Sequence, residues 1–166
     1  MNVPRKSRYV TTVFCLRLLW DSIYDDWTKV TSDVGITVTE EQILWVIWLF
    51  DSCTVTEAAR YLKRDKGTVS KCIYSLEESG LIFRQPGIDR RSYAFKITDE
   101  GERMRQNLER NHGISSVFAR ALNNLNEKEQ KEFLSLLLKI TEQIEGKSYT
   151  SLLVQSLARI KSALED

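Results

Sequence analysis

The densest group of side chains with recognisable chemistry lies between positions 66 and 71. Lys66 and Lys71 are cationic, and Thr68 and Ser70 carry small hydroxyl groups between them. Cations of this kind contact phosphate groups, and short hydroxyl side chains allow a helix to approach base edges closely. The segment therefore predicts a surface that binds nucleic acid.

A second basic group follows in the run Gly87-Ile88-Asp89-Arg90-Arg91. Residues 81–85 and 92–98 have the composition of two strands, the second alternating Tyr93, Phe95 and Ile97 with Ala94 and Lys96, and Pro86-Gly87 marks a turn. The pattern predicts a β-hairpin with a basic, exposed tip.

Catalytic and metal-binding patterns are weak in this sequence. His112 stands among Arg110, Asn111 and Gly113 without a spaced Cys or carboxylate partner, so we expect a solvated side chain. Cys15, Cys53 and Cys72 are odd in number and widely spaced, which indicates neither a disulfide framework nor a zinc site. We expect reduced thiols, no metal, no cofactor and no enzymatic activity.

The elements that position the basic groups can be predicted from apolar spacing and helix caps. Apolar residues from Tyr9 to Trp27 recur every three or four positions, which predicts a long amphipathic helix. Thr39 with Gln42 predicts a capping box for a second helix, whose body at 43–50 is apolar nearly all round. Thr54 with Glu57 predicts a third helix, and a fourth runs from 66 to about 79. Two short helices joined by a polar turn at 63–65 are the parts of a helix-turn-helix.

Further helices are predicted after the hairpin. Thr98 caps a helix that we expect to weaken near Gly113, Asn126 with Glu129 starts another that ends at Gly146, and a last one covers 149–164. Their apolar stripes exceed what a unit of about 60 residues can bury. We expect a symmetric dimer, with a monomer of larger helical core as the alternative. The residues assigned to dimerisation are Tyr9, Val13, Leu16, Leu152, Leu153, Leu157 and Ile160.

Composition limits the classes of protein to which this chain can belong. The 166 residues carry 24 basic and 23 acidic side chains with 42% hydrophobic residues, which is typical of one ordered domain. The apolar run 43–50 is too short to span a membrane, and the basic N-terminus fails as a signal peptide, so we expect a cytoplasmic, nucleoid-associated protein without a membrane partner. Residues 60–96 hold nine basic against four acidic groups, a net +5, and the remainder holds 15 against 19, a net −4.

Taken together, the motifs resemble the winged helix-turn-helix of the MarR family of bacterial transcription regulators. The resemblance lies in TVTEAARYL, DKGTVSKCIYSLEESGLIFRQ, the tip DRR and ITDEG, and LLWDSIYDDW and EEQILW are similar to the Hpr branch. It implies a mainly α fold with a small β-hairpin wing and N- and C-terminal dimerisation helices. The implied organisation is one MarR-like domain over 1–166, with a DNA-binding lobe at 36–101 and a helical dimerisation region at 7–32 and 102–166.

The resemblance also implies a mechanism. A homodimer, more commonly a repressor, would bind a pseudo-palindromic operator in double-stranded DNA through Lys66, Thr68, Ser70 and Lys71 in the major groove. At the wing, Arg91 would enter the minor groove and pair with Asp89, while Arg90 and Arg84 would contact phosphates. A small aromatic effector between the dimer helices and the lobe is common in the family, and no residue identifies one.

Two alternatives remain open at this stage. A winged helix can bind protein in place of DNA, since fold alone does not decide function. Some relatives sense peroxides through a cysteine in the N-terminal helix, where this chain has Cys15, although an inert thiol is the simpler interpretation.

Overall fold

Helices with explicit start signals dominate the chain, and the computed structural model describes residues 5–87, 92–147, 149–151 and 154. The architecture is mainly helical with a two-stranded antiparallel hairpin, as the sequence predicts. The elements are α1 (Arg5–Asp33), α2 (Val38–Leu49), α3 (Val55–Leu62), α4 (Lys66–Glu78), β1 (Ile82–Pro86), β2 (Tyr93–Ile97), α5 (Asp99–Ser115), α6 (Val117–Asn123) and α7 (Glu127–Glu145).

Three of these helices begin with a capping box, in which two backbone donors at the helix start are satisfied by side chains. The predicted boxes at Thr54 and Asn126 are confirmed. The prediction at Thr39 is wrong, because α2 is capped by Thr37, whose N–H donates to Glu40 Oε2 at 2.7 Å. The earlier start brings Val38 into the first turn, where it is buried.

The core lies where α2, α3 and α4 meet the hairpin. The body of α2 is buried on most sides, as its sequence predicts, and it packs against the inward faces of α3 and α4. Apolar burial of this extent is what holds such a small lobe together. The most deeply buried members of this cluster are Ile43, Leu44, Ile47, Ala58, Val69, Ile73, Leu76, Ile82 and Cys53.

The hairpin joins this core through both of its strands. Ile82 pairs with Ile97 and Arg84 with Phe95 across the antiparallel ladder. Cys53 extends the sheet by exchanging two backbone hydrogen bonds with Phe95, at 3.1 and 2.9 Å. Ala94 is buried together with Phe95, so the burial does not follow the simple alternation of β2 in sequence.

Helix α5 passes through Gly113 without a break, which corrects the expected weakening at that residue. The chain turns at Ser116 instead, whose side chain accepts from Ala119 N and starts α6. Asp26 of α1 accepts a further hydrogen bond from Val117 N at 2.7 Å. Contacts with α1 and α2 therefore outweigh the helix propensity of one glycine, whose cost is only about 1 kcal/mol. Within the part of the chain that is described, no helix combines the length and apolarity needed to cross a bilayer.

Candidate nucleic-acid interface

Helix α4 presents one buried and one exposed face. Val69, Ile73 and Leu76 point into the core. Asp65 precedes the helix, and its carboxylate accepts from Thr68 N at 2.9 Å, a bond that holds the pKa of Asp65 below its usual range. The cap fixes the first turn of the helix and thereby the direction of its outward side chains.

The four predicted contact residues of α4 are all exposed, and Lys66 and Ser70 among them line one groove. Lys66, Ser70 and Lys71 are exposed. Thr68 is exposed as well, but its hydroxyl lies 3.4 Å from Asp65 Oδ1 and has a weak partner within the helix cap. The arrangement offers two cations and one uncommitted small hydroxyl, Ser70, to a ligand.

Arg84 on β1 is held by three groups. Its Nη2 lies 2.9 Å from Glu77 Oε2 on α4, and its guanidinium lies 5.1 Å from the ring centroid of Tyr93 and 5.7 Å from that of Phe95. An arginine over two rings and beside a carboxylate is fixed in direction. Arg84 therefore connects the hairpin to α4, a role that its sequence position alone does not reveal.

A groove of about 400 Å³ lies between the start of α3, the outward side of α4 and the hairpin. Two exposed aromatic side chains in it are not among the predicted contact residues: Tyr74 and Tyr93, 59% and 57% exposed. The spacing of Tyr74, four residues after Ser70, could have indicated the first, since residues four apart share a helix face. The lining residues are Thr54, Val55, Thr56, Lys66, Ser70, Ile73, Tyr74, Glu77, Arg84, Ser92, Tyr93 and Phe95.

Ion pairs reduce the number of basic groups that face outward. Lys96 Nζ lies 3.0 Å from Asp51 Oδ2, Lys63 pairs with Glu145, and Arg84 pairs with Glu77. Among the described residues, no acidic group forms an ion pair with Lys66 or Lys71. The other predicted contact residues, Asp89, Arg90 and Arg91, lie outside the described residues.

Residues near the end of α7 and after it contact α3 and the turn that follows it. Lys63 adopts a left-handed conformation, with φ at 51°, and closes α3. Tyr149 donates a hydrogen bond from its hydroxyl to the carbonyl of Tyr61 at 2.8 Å, and the Tyr61 ring stacks on Phe50 with centroids 4.5 Å apart. The hydrogen bond from Tyr149 therefore joins the region after α7 to the helix-turn-helix.

The residues assigned to dimerisation are only partly described. Tyr9, Val13 and Leu16 are exposed on α1, while Leu152, Leu153, Leu157 and Ile160 lie outside the described residues. Helix α7 adds exposed apolar side chains that belong to the predicted stripe or adjoin it, namely Leu134, Leu136, Ile140 and Ile144.

The three cysteines differ in environment. Cys15 is exposed, Cys72 is half-buried and Cys53 is buried. Burial raises the pKa of the Cys53 thiol to about 12, and it also raises the pKa of Cys72. The described residues contain no cluster of His, Cys, Asp and Glu that would hold a metal ion.

His112 is not solvated, which corrects the expectation from its polar neighbours. The side chain is 17% exposed, and its Nε2 lies 2.6 Å from Oε1 of Glu41, a residue of α2 with 4% side-chain exposure. The imidazole also meets the Trp27 ring edge-on at 6.1 Å. The partner comes from a helix 71 positions earlier, which no local pattern around His112 indicates.

Comparison with curated proteins gives a consistent set of relatives. The model of the MarR family matches residues 36–93. The HTH-type transcriptional regulator Hpr of Bacillus cytotoxicus is 28% identical over 152 residues, covering 87% of this chain and 80% of the relative. The DNA-binding transcriptional repressor ScoC of Bacillus subtilis is 27% identical over 86 residues, covering 51% and 42%.

In its alignments with two further Hpr regulators, the chain spans only 44% and 43% of the relatives' length. A solved structure of a mutant MarR from E. coli complexed with operator DNA has the same fold. Its TM-score is 0.66 at 19% identity, covering 83% of this chain and 99% of that one. The names of these relatives are those of regulators, which agrees with the expectation that the chain is not an enzyme.

Proposed function

Residues 36–93 are a winged helix-turn-helix of the MarR family, and from this premise we propose that the chain regulates transcription by binding double-stranded DNA. The observation that carries the proposal is the outward surface of α4, where Lys66, Ser70 and Lys71 are exposed and where Lys66 and Ser70 line the groove beside the hairpin. A helix of this kind enters the major groove with its N-terminal residues toward the base edges. The hairpin would follow the adjacent backbone, with Arg84 near a phosphate and Arg91 in the minor groove.

The active species is proposed to be a homodimer with residues 36–101 as its DNA-binding lobes. Exposed apolar side chains on α1 and α7 support this, because a single chain leaves them in contact with water. We assign residues 7–32 and 102–166 to the dimerisation region. Two α4 helices about one turn of DNA apart, ~34 Å, would bind a pseudo-palindromic operator. A repressor role is supported by the name of the ScoC relative.

Selection of bound sequences from a random duplex pool tests the proposal directly. We expect enrichment of a site with two inverted half-sites whose centres are about 10 base pairs apart. A half-site without symmetry would contradict the dimeric mode of binding. The absence of any enriched sequence would contradict DNA recognition itself.

The contribution of the two lysines can be separated by salt titration. Each phosphate contact contributes about −0.9 to the slope of log K against log salt concentration. We expect Lys66→Ala and Lys71→Ala each to flatten this slope by about 1–2 for a dimer, and to weaken binding to all sequences alike if the lysine contacts phosphate. Lys131→Ala is the matched control, because Lys131 pairs with Glu127 on α7, away from this face.

A protein-binding winged helix is the second candidate, and one observation favours it. Tyr74, Phe83 and Tyr93 are exposed on α4 and the hairpin, and aromatic residues are enriched at protein interfaces. Binding to duplex DNA that falls steeply with salt excludes this candidate as the main activity. Absence of duplex binding, together with capture of a partner protein, would favour the protein-binding function.

A further inference from the structure

Tyr74 occupies a position in α4 that the lysines do not explain. It is 59% exposed and lines the groove between α4 and the hairpin, together with Lys66, Ser70 and Arg84. Because Tyr74 lies four residues after Ser70, both side chains project from the same face of the helix. A large aromatic side chain therefore stands on the face that is proposed to meet DNA.

The exposed side chain of Tyr74 consists mostly of its aromatic ring, with one hydroxyl group at the tip. The surface that Tyr74 offers to a ligand is thus largely the apolar edge and face of its ring.

Charge along α4 sets the depth of this ring in a groove of DNA. The cations Lys66 and Lys71 stand in the N-terminal half, and the last turn carries Glu78 and Glu77, the latter paired with Arg84. Cations attract phosphates and the carboxylate of Glu78 repels them, so we expect the N-terminal half of the helix to approach DNA more closely than the last turn. Tyr74 lies between Lys71 and Glu77 along the helix, where we expect its ring to face the outer edge of a base pair.

In the major groove, the one apolar feature of a base edge is the C5-methyl group of thymine. We propose that Tyr74 is a specificity-determining residue that selects thymine in each half-site through contact between its ring and this methyl group. The inference rests on the proposed function, since it needs an operator. It adds a base preference that the lysines and Ser70 do not supply.

Replacement of thymine by uracil tests the proposal, because it removes only the methyl group. The selected operator is synthesised with uracil at each thymine position of both half-sites in turn, and dissociation constants are measured by fluorescence anisotropy. For the wild-type protein we expect one position at which uracil weakens binding about fourfold per half-site, or about 15-fold for a symmetric pair. With Tyr74→Ala, uracil and thymine should bind equally at that position.

A conservative variant separates ring contact from the effect of the hydroxyl group. Tyr74→Phe keeps the ring and should keep the preference for thymine over uracil. Circular dichroism of each variant confirms that the fold is intact.

The possible outcomes are distinct. If Tyr74→Ala retains the wild-type preference at every position, or if the wild-type protein has none, the assignment of Tyr74 is wrong while DNA binding stands. If the random pool yields no enriched sequence, the proposed function fails and this inference fails with it.

Discussion

His112 illustrates how a single residue can join two parts of the chain. It lies on α5 and contacts Glu41 on α2 and Trp27 on α1, so three helices meet at one imidazole. Glu41 Oε2 and His112 Nδ1 are buried, and no described group bonds to them. The pair therefore depends on one short contact for both partners.

We predict that His112→Ala lowers the free energy of unfolding by about 2–3 kcal/mol, because Glu41 would remain buried without its partner. Urea denaturation with matched m values measures the change. The double variant Glu41→Leu with His112→Ala should recover part of the loss, since no buried carboxyl group is then left without a partner. A loss below about 0.5 kcal/mol in the single variant would mean that water reaches Glu41.

The cysteines give a second prediction at this scale. Cys53 has a pKa raised to about 12 by burial, whereas Cys15 is exposed. Because the thiolate is the reactive species, we expect Ellman's reagent at pH 8 to modify Cys15 first, Cys72 more slowly and Cys53 only on unfolding. The Cys15→Ala variant identifies the fast phase. Equal rates for Cys15 and Cys53 would contradict the burial of Cys53.

The Cys15→Ala variant also tests whether Cys15 controls DNA binding through its oxidation. If mild peroxide oxidises Cys15 and leaves DNA affinity unchanged, Cys15 is an inert surface thiol. A change in affinity that disappears in Cys15→Ala would establish it as a sensor.

At the scale of elements, residues 97–101, with the sequence ITDEG, connect the hairpin to α5. Thr98 caps α5 and donates from its hydroxyl to the carbonyl of Gly80 at 2.7 Å. A Cβ at Gly101 would lie 2.0 Å from the Leu81 carbonyl oxygen and 2.7 Å from Ile97 Cγ1. The first turn of α5 can approach Leu81, just before β1, and Ile97, at the end of β2, this closely only with glycine at this position.

We therefore predict that Gly101→Ala destabilises the protein by about 3 kcal/mol, at the upper end of the cost of overpacking. The thermal midpoint, followed by circular dichroism, should fall accordingly. Gly113→Ala is the matched control, since no atom lies within 4 Å of a Cβ there and helix propensity favours alanine. A higher midpoint for Gly101→Ala would show that α5 can move away from β1 at little cost.

The elements also show which features a sequence can predict. Caps at Thr54, Thr98 and Asn126 were predictable because each depends on residues within one turn. The sequence offers two overlapping capping boxes before α2, Thr37 with Glu40 and Thr39 with Gln42, and local spacing does not choose between them; the structure uses Thr37. The bond from Tyr149 to Tyr61 joins residues 88 positions apart, and local periodicity carries no information about such contacts.

At the scale of the whole molecule, ion pairs formed in the folded chain reduce the number of basic side chains that are available to DNA. The basic segment 60–96 has a formal net charge of +5, yet Lys63, Arg84 and Lys96 are each paired with a carboxylate. The cations of this segment that are described and form no ion pair are Arg60, Arg64, Lys66 and Lys71. Two of these four lie on α4, so the helix that is proposed to recognise DNA carries half of the charge that steers the described part of the lobe toward it.

Dimerisation supplies the last prediction at this scale. Leu16 is about half exposed on α1, so an aspartate at this position should reduce the stability of a single protomer only slightly. A symmetric dimer interface would instead bury two aspartate carboxylates, one from each protomer, without partners. We expect Leu16→Asp to sediment as a monomer at concentrations where the wild type is a dimer. Its affinity for a two-half-site operator should fall more than 100-fold, and its affinity for a single half-site should change little.

Ser7→Asp is the matched control, because Ser7 is exposed nine residues away, on the opposite side of α1. It should remain dimeric and bind the operator normally. Dissociation of both variants would indicate that α1 responds to any added charge, and a dimeric Leu16→Asp variant would remove Leu16 from the interface. In the second case the exposed apolar side chains of α7, with Ile140 and Ile144 among them, become the next surface to test, since they too need an apolar partner.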